Sequence, residues 1–124
     1  MLGIALPALS LLAVESTAAN EQRYDASMKC AVSLVFADAF LKASGHGPSQ
    51  MGAMAQTYLR SARNEGSTLG KGPDKVQSEF LAGMSDLRRH VQNPDKAAQK
   101  LKLRETLDQV NSCATRLIGD GDKK

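Results

Sequence analysis

Apolar residues recur at intervals of three or four positions in four separate stretches of the chain, which predicts four amphipathic α-helices. Asn20 and Asn93 stand where N-caps are expected, and Pro94 suits the first turn of the last helix. Short loops between such helices favour an all-α fold, a four-helix bundle with up-down-up-down topology. The predicted helices cover residues 21–43, 50–64, 73–92 and 94–118.

Glycines and apolar side chains indicate how these helices end and pack. We expect Gly45 and Gly66 to end the first and second helices, because glycine readily adopts the left-handed conformation after a helix C-terminus. Gly83 lies on the apolar face of the third helix and indicates that a neighbouring helix packs closely there. The predicted apolar face of the fourth helix comprises Ala97, Leu101, Leu107, Val110, Ala114 and Leu117.

The start of the chain differs in composition from the rest. Residues 2–14 carry no charge and are mostly apolar, and a run of small residues ends at Ala19. This pattern is typical of a secretory signal peptide cleaved after Ala19, although no Lys or Arg precedes the apolar run and Glu15 lies near the cleavage region. The alternative is a buried N-terminal helix. Pro7 interrupts the run, which is too short for a transmembrane helix. We therefore expect a cleaved leader over residues 1–19 and a single helical domain without a transmembrane segment over residues 20–118. Residues 119–124 are expected to form a disordered tail.

The chain contains two cysteines, Cys30 and Cys113, which do not form a C-x-x-C motif. In an up-down-up-down bundle the start of the first helix lies near the end of the last. Cys30 lies about 13 Å from the start of its predicted helix and Cys113 about 8 Å from the end of its own, at a rise of about 1.5 Å per residue. The sequence therefore predicts a Cys30–Cys113 disulfide between the first and last helices, with two buried free thiols as the alternative. A lone disulfide is typical of an oxidising compartment, so we expect a periplasmic or secreted protein.

Positive charge is concentrated where the third and fourth predicted helices meet. The chain has a net charge of +3, and removal of the leader with its one acid raises this to +4. This cluster favours an acidic protein partner or an anionic envelope surface, with a solvated face that aids solubility as the alternative. No aromatic residues are interleaved for base stacking, so we do not expect nucleic acid as a partner. Residues 88–104 contain one acid and the six cations of this candidate basic patch, Arg88, Arg89, Lys96, Lys100, Lys102 and Arg104.

No arrangement of residues predicts catalysis or a bound cofactor. The glycine-rich stretch 66–73 is one residue too short for a phosphate-binding P-loop, and a predicted helix precedes it. Met51 and Met54 present two thioethers on one helical face and are weak candidates for a soft-metal site, but such methionines ordinarily fill the core. Asp86 and His90 are one turn apart and predict a surface ion pair, without the nucleophile that a catalytic triad requires. We therefore expect a protein that is not an enzyme.

In outline the chain resembles the many small exported two-cysteine helical proteins of Gram-negative bacteria. The resemblance extends to the architecture only, and no functional residue is carried over from it. Our leading hypothesis is an exported, non-enzymatic interaction module that presents a helical surface to a partner. The alternatives are a periplasmic chaperone similar to the small acid-stress helical proteins with one disulfide, and a soft-metal carrier that uses Met51 and Met54. The sequence leaves the oligomeric state open.

Overall fold

The chain forms four α-helices in the predicted order in its computed structural model, so the all-α class is confirmed. The structure describes the backbone of residues 2–45 and 50–122 and the side chains of residues 17–45 and 50–117. The helices are α1 (Leu2–Ala43), α2 (Gln50–Thr68), α3 (Pro73–Val91) and α4 (Lys96–Asp122).

The first and last helices are longer than the sequence predicts. α1 is continuous from Leu2, so the predicted leader shares one helix with the start of the predicted domain. The side chains of residues 1–16 lie outside the described residues, and cleavage after Ala19 stays a prediction. α4 continues to Asp122, with side chains described as far as residue 117, so the disordered tail over 119–124 also stays a prediction. No helix in the described part of the chain is both long and apolar enough to cross a membrane.

Two glycines in the left-handed conformation follow the ends of α1 and α2. Gly45 has a φ of 89° and follows α1, as predicted. The prediction that Gly66 ends α2 is wrong, because the helix passes through it to Thr68 and the left-handed residue is Gly70, with a φ of 80°. The Lys71 N–H donates to the Gly66 carbonyl over 2.7 Å. This hydrogen bond closes the turn that follows α2. Gly66 itself lies inside the helix, where it can pack against neighbouring helices.

The start of α4 lies two residues later than predicted. Asn93 does not cap the helix directly, because its Oδ1 accepts the N–H of Asp95 over 2.9 Å. Asp95 Oδ1 in turn accepts the N–H of Ala97 over 3.1 Å. Asp95 is therefore the capping residue, and Lys96 is the first residue of α4.

Contacts between α1 and α2 show that these helices are antiparallel. Gly66, near the end of α2, lies against the ring of Tyr24 near the middle of α1. Gly52, near the start of α2, lies beside the carboxylate of Asp38 close to the end of α1. Of all helix pairs, α1 and α2 share the most extensive contact.

α3 and α4 complete the up-down-up-down order, which is confirmed. α3 runs parallel to α1, because Glu79 near its start bonds to Tyr24 and Gly83 further along lies against Val32. Gly83 thus marks a close approach of two helices, as predicted. α4 runs back along α3, and the side chain of Gln99 near its start donates to the carbonyl of Val91 at the end of α3.

The predicted Cys30–Cys113 disulfide links α1 to α4, with the sulfur atoms 2.09 Å apart and the Cα atoms 5.7 Å apart. Both cysteines are completely buried. The Tyr58 hydroxyl donates to the carbonyl of Cys113 over 2.8 Å, and Gln109 Nε2 lies 3.4 Å from Cys113 Sγ. α4 is therefore fixed to α1 by a covalent bond and to α2 by a buried hydrogen bond.

Residues from all four helices build the main core. It surrounds Leu34, which is fully buried, and a smaller cluster of Tyr24, Ala62 and Val76 continues it toward the loop between α2 and α3. Small alanines on α1 and α2 let these two helices approach closely. Besides the disulfide, the main core contains Ala31, Val32, Leu34, Ala37, Ala55, Tyr58, Leu59, Phe80, Leu87 and Val110.

α4 buries a different face from the one that the sequence predicts. Leu101 and Leu107, both assigned to the apolar face, are 58% and 60% exposed. The buried residues are instead Thr106, Val110 and Cys113. Leu101 lies nine residues before Val110, which places it on the opposite side of a helix with 3.6 residues per turn. The disulfide sets this rotation, because Cys113 has to point toward α1.

Candidate interaction surface

The six cations of the candidate basic patch lie at the end of α3 and the start of α4. Arg88 and Arg89 belong to the last turn of α3 and line a groove at the turn that follows it. Lys96 is the first residue of α4, and the other three cations follow within its first three turns. The turn over residues 92–95 brings these two groups to one corner of the bundle.

Ion pairing divides the patch into two groups. Arg89 Nη2 lies 2.9 Å from Asp86 Oδ1, and Lys102 Nζ lies 3.9 Å from Glu105 Oε2. The other four cations are exposed, and no ion pair among the residues with described side chains includes them. These four are Arg88, Lys96, Lys100 and Arg104. These four cations therefore form no direct ion pair with an acid in the described part of the chain.

Cations and exposed leucines share one side of α4. The cations recur at intervals of four residues and so form one stripe along the helix. Two leucines stand three residues before and three residues after the last of these cations, Arg104. Asp108, four residues after Arg104, is an acid that borders this surface. We call the surface the α4 outer face, and it consists of Lys96, Lys100, Leu101, Arg104 and Leu107.

Lys102 lies on a different side of α4 from Lys100 and Arg104. Two residues correspond to about 200° of rotation around a helix. Lys102 instead lines a groove between α1, α3 and α4, where Asp86 and Glu105 also lie. This groove is lined by charges of both signs. The structure therefore does not bring all six predicted cations together, although they are close in sequence.

A polar cluster that the sequence analysis missed joins α1 to α3 and to the loop between α2 and α3. The Tyr24 O–H donates to Glu79 Oε1 over 2.5 Å. Lys71 Nζ donates to both oxygens of Glu79, over 2.8 and 3.1 Å, and stands 4.3 Å from the centre of the Tyr24 ring. Nearby, the Ser27 hydroxyl donates to Glu65 Oε1 over 2.7 Å and so links α1 to α2. The signal in the sequence is slight, a lysine between two glycines eight residues before a glutamate.

The pKa values in this cluster fit a structural role. Burial, followed by the hydrogen bond to Glu79, raises the pKa of Tyr24 above its usual value. The hydrogen bond from Lys71, followed by the one from Tyr24, lowers the pKa of Glu79. At neutral pH Tyr24 is therefore a neutral donor and Glu79 a carboxylate that accepts from two partners. The cluster therefore holds α1, α3 and the loop before α3 together.

The weaker chemical candidates lie in surroundings that suit packing or the surface. Met51 and Met54 are partly buried and pack against the main core. His90 Nδ1 lies 2.8 Å from the backbone carbonyl of Asp86 and 3.7 Å from its carboxylate, so the predicted surface pair is confirmed. His46 lies outside the described residues. Among the residues that are described, no group of three or more His, Cys, Asp or Glu is placed to hold a metal ion.

The four-helix architecture does not assign a function, because bundles of this kind serve many unrelated ones. Comparisons with protein-family models, curated proteins and solved structures find no match for this chain. Its function has to be argued from its own surface, and the α4 outer face combines unpaired charge with exposed apolar side chains.

Proposed function

We propose that this chain is an exported, non-enzymatic binding module that contacts an acidic protein or an anionic envelope surface through the corner where α3 ends and α4 begins. The observation that carries this proposal is the group of four exposed cations that no described acid pairs, Arg88, Lys96, Lys100 and Arg104. At about 0.1 M salt, exposed charges interact over about 10 Å. Cations on one corner therefore act together on an approaching negative surface.

The position of Lys96 supports a role in binding. It is the first residue of α4, where the positive end of the helix dipole disfavours a cation by about 0.3–1 kcal/mol. An acid at this position would stabilise the helix for the same reason. Recognition of a negative partner accounts for a lysine here, whereas helix stability does not.

The disulfide supports the proposed location. Cys30 and Cys113 are both completely buried, and their bond joins the two helices farthest apart in sequence. Bonds of this kind form and persist in oxidising compartments such as the periplasm or the extracellular space. A protein exported to the periplasm or secreted would therefore acquire the covalent link that this fold contains.

A charge-reversal experiment tests the proposed binding corner. We expect Lys100→Glu combined with Arg104→Glu to abolish capture of partners from native envelope extract at low salt. Arg60→Glu combined with Arg63→Glu is the matched control, because it reverses two exposed cations on α2 and so changes the net charge equally. High salt should release the wild-type protein's partners. Unchanged capture by the α4 variant at low salt would show that the corner is not the binding surface.

A chaperone activated by acid is the second candidate, and one interhelix carboxylate favours it. Glu79 on α3 accepts a hydrogen bond from Tyr24 of α1, so its protonation would weaken the contact between these two helices. Loosened packing would expose apolar surface to a client protein. Near-UV circular dichroism of the buried Tyr24 and Tyr58, combined with binding of an apolar dye, follows this change. Constant signals down to about pH 2 would end this proposal.

A further inference from the structure

We infer that the α4 outer face binds the surface of anionic phospholipid bilayers, with its two leucines entering the headgroup region and its three cations contacting lipid phosphates. This inference rests on the proposed function and names the partner of the same corner. The contact would be peripheral and would use α4 in its folded orientation. The five residues concerned are Lys96, Lys100, Leu101, Arg104 and Leu107.

The two leucines are the first observation behind this inference. Leu101 and Leu107 expose more than half of their surface, whereas other residues occupy the buried positions of α4. A single exposed leucine is ordinary in a folded protein. Here two of them flank one cation, Arg104, within about 9 Å along the helix axis. An apolar pair beside unpaired cations matches the two parts of a lipid surface, phosphate outside and acyl chain beneath.

The composition of the face favours a bilayer over an acidic protein. The centres of protein–protein interfaces are enriched in aromatic residues and depleted of lysine. The α4 outer face has no aromatic residue and contains two lysines, Lys96 and Lys100. Leucine together with lysine and arginine is typical of helices that lie in a membrane interface. Lysine and arginine also have long apolar stems, which lets their charges reach phosphates while leucines descend further.

The attachment of α4 lets it present this face without unfolding. Cys113 is bonded to Cys30 of α1, and the Tyr58 hydroxyl of α2 holds its carbonyl. At the other end, the Gln99 side chain holds the last turn of α3. The core side of α4 is occupied by Thr106, Val110 and Cys113, so the outer face is not needed for packing.

The expected effects follow from the charges and the exposed side chains. Each cation near an anionic leaflet strengthens binding by roughly fivefold. Reversal of Lys100 and Arg104 together should therefore weaken binding by at least about 25-fold. Loss of the partial burial of Leu101 and Leu107 should weaken it by about tenfold.

Sedimentation with vesicles measures these effects on the disulfide-bonded full chain. We expect the wild type to bind vesicles of equal parts phosphatidylglycerol and phosphatidylcholine, and not vesicles of phosphatidylcholine alone. Leu101→Gln and Leu107→Gln should each weaken binding to the anionic vesicles. Leu81→Gln is the matched control, because Leu81 is similarly exposed, at 55%, but belongs to α3 and not to the α4 outer face, and it should leave binding unchanged. Far-UV circular dichroism and urea unfolding establish that each variant is folded.

A fluorescence experiment tests the insertion of leucine directly. The chain contains no tryptophan, so a single substitution provides a unique reporter. Emission from Leu107→Trp should shift to shorter wavelength on anionic vesicles and should be quenched by lipids brominated in their acyl chains. Emission from Leu81→Trp should not change. An unshifted Leu107→Trp on vesicles that bind the protein would overturn insertion of this face.

Vesicle binding and capture from envelope extract together separate this inference from the proposed function. If wild-type protein ignores anionic vesicles but still captures envelope proteins in a manner that depends on Lys100 and Arg104, the partner is an acidic protein. The lipid inference is then wrong, and the binding corner stands. If neither vesicles nor envelope extract respond to reversal of these two cations, both proposals are wrong.

Discussion

Replacing Gly66 with alanine tests the close packing of α1, α2 and α3 around the smaller core cluster. A Cβ at this position would lie 2.8 Å from Val76 Cγ2 and 3.1 Å from Tyr24 Cε1, closer than carbon atoms pack favourably. Neither neighbour can withdraw easily, because both are buried and Val76 is β-branched. Tyr24 is also held by its hydrogen bond to Glu79. One added methyl group therefore has to displace two anchored side chains.

The expected magnitude is the difference between two opposing effects. Alanine in place of glycine stabilises a helix by at most about 1 kcal/mol. Overpacking of a filled core costs about 1–3 kcal/mol, and contact on two sides places Gly66→Ala in the upper half of that range. We therefore expect the free energy of unfolding to fall by about 1–2 kcal/mol. Gly52→Ala is the matched control on the same helix, because its Cβ would meet only the carboxylate end of Asp38, at 3.3 Å.

Urea unfolding followed by far-UV circular dichroism, with the disulfide intact, measures these free energies. Gly52→Ala should be neutral or slightly stabilising, since a Cβ at 3.3 Å requires the Asp38 carboxylate to shift by only a few tenths of an ångström. Adding Val76→Ala to Gly66→Ala removes the nearer contact, so the double variant should be more stable than the two single losses predict by at least about 0.5 kcal/mol. A Gly66→Ala protein as stable as Gly52→Ala, or strictly additive losses, would refute the packing argument.

Three further predictions concern the disulfide, a buried hydrogen bond and pH. The double variant Cys30→Ala with Cys113→Ala should lower the free energy of unfolding by about 4.6 kcal/mol, because the bonded cysteines are 83 residues apart in sequence. A loss under about 1 kcal/mol, measured by urea unfolding, would contradict this. Tyr58→Phe removes a hydrogen bond of 2.8 Å and should cost about 1 kcal/mol, so an unchanged Tm would count against it. Because Lys71 lowers the pKa of Glu79, its contribution to stability is present above the ordinary value of 4.5 and is lost as pH falls through the lowered pKa. Glu79→Gln should reduce this loss of stability at acid pH. Identical stability–pH profiles of the variant and the wild type would exclude the effect.

The number of helices, their order and the disulfide could be predicted from the sequence because each depends on simple geometry. Apolar periodicity marks the four helices, and short loops make consecutive helices antiparallel. That order places Cys30 and Cys113 at similar heights, so their bond follows from the rise per residue. Gly83 was identified for a related reason, since glycine inside a helix is unfavourable unless a neighbour approaches closely.

The rotation of α4 could not be predicted from its own residues. Leucines are scattered around this helix, so more than one face has an apolar appearance. The face with Thr106 is buried because the disulfide turns Cys113 toward α1, whereas Leu101 is left on the opposite side. The same rotation separates Lys102 from Lys100. The Tyr24–Glu79 bond was missed because it joins positions 55 residues apart, and their pairing depends on the assembled bundle.

The fold and the proposed binding depend on different charged groups in this molecule. Glu65 and Glu79 accept hydrogen bonds across helices, so they belong to the fold. Lys100 and Arg104 contact no described acid, and surface substitutions of this kind usually change stability by less than about 0.5 kcal/mol. Loss of binding on their reversal can therefore be assigned to the partner contact and not to unfolding. The rotation that the disulfide sets leaves Leu101 exposed beside them, and the proposed bilayer contact would bury this side chain without disturbing the core.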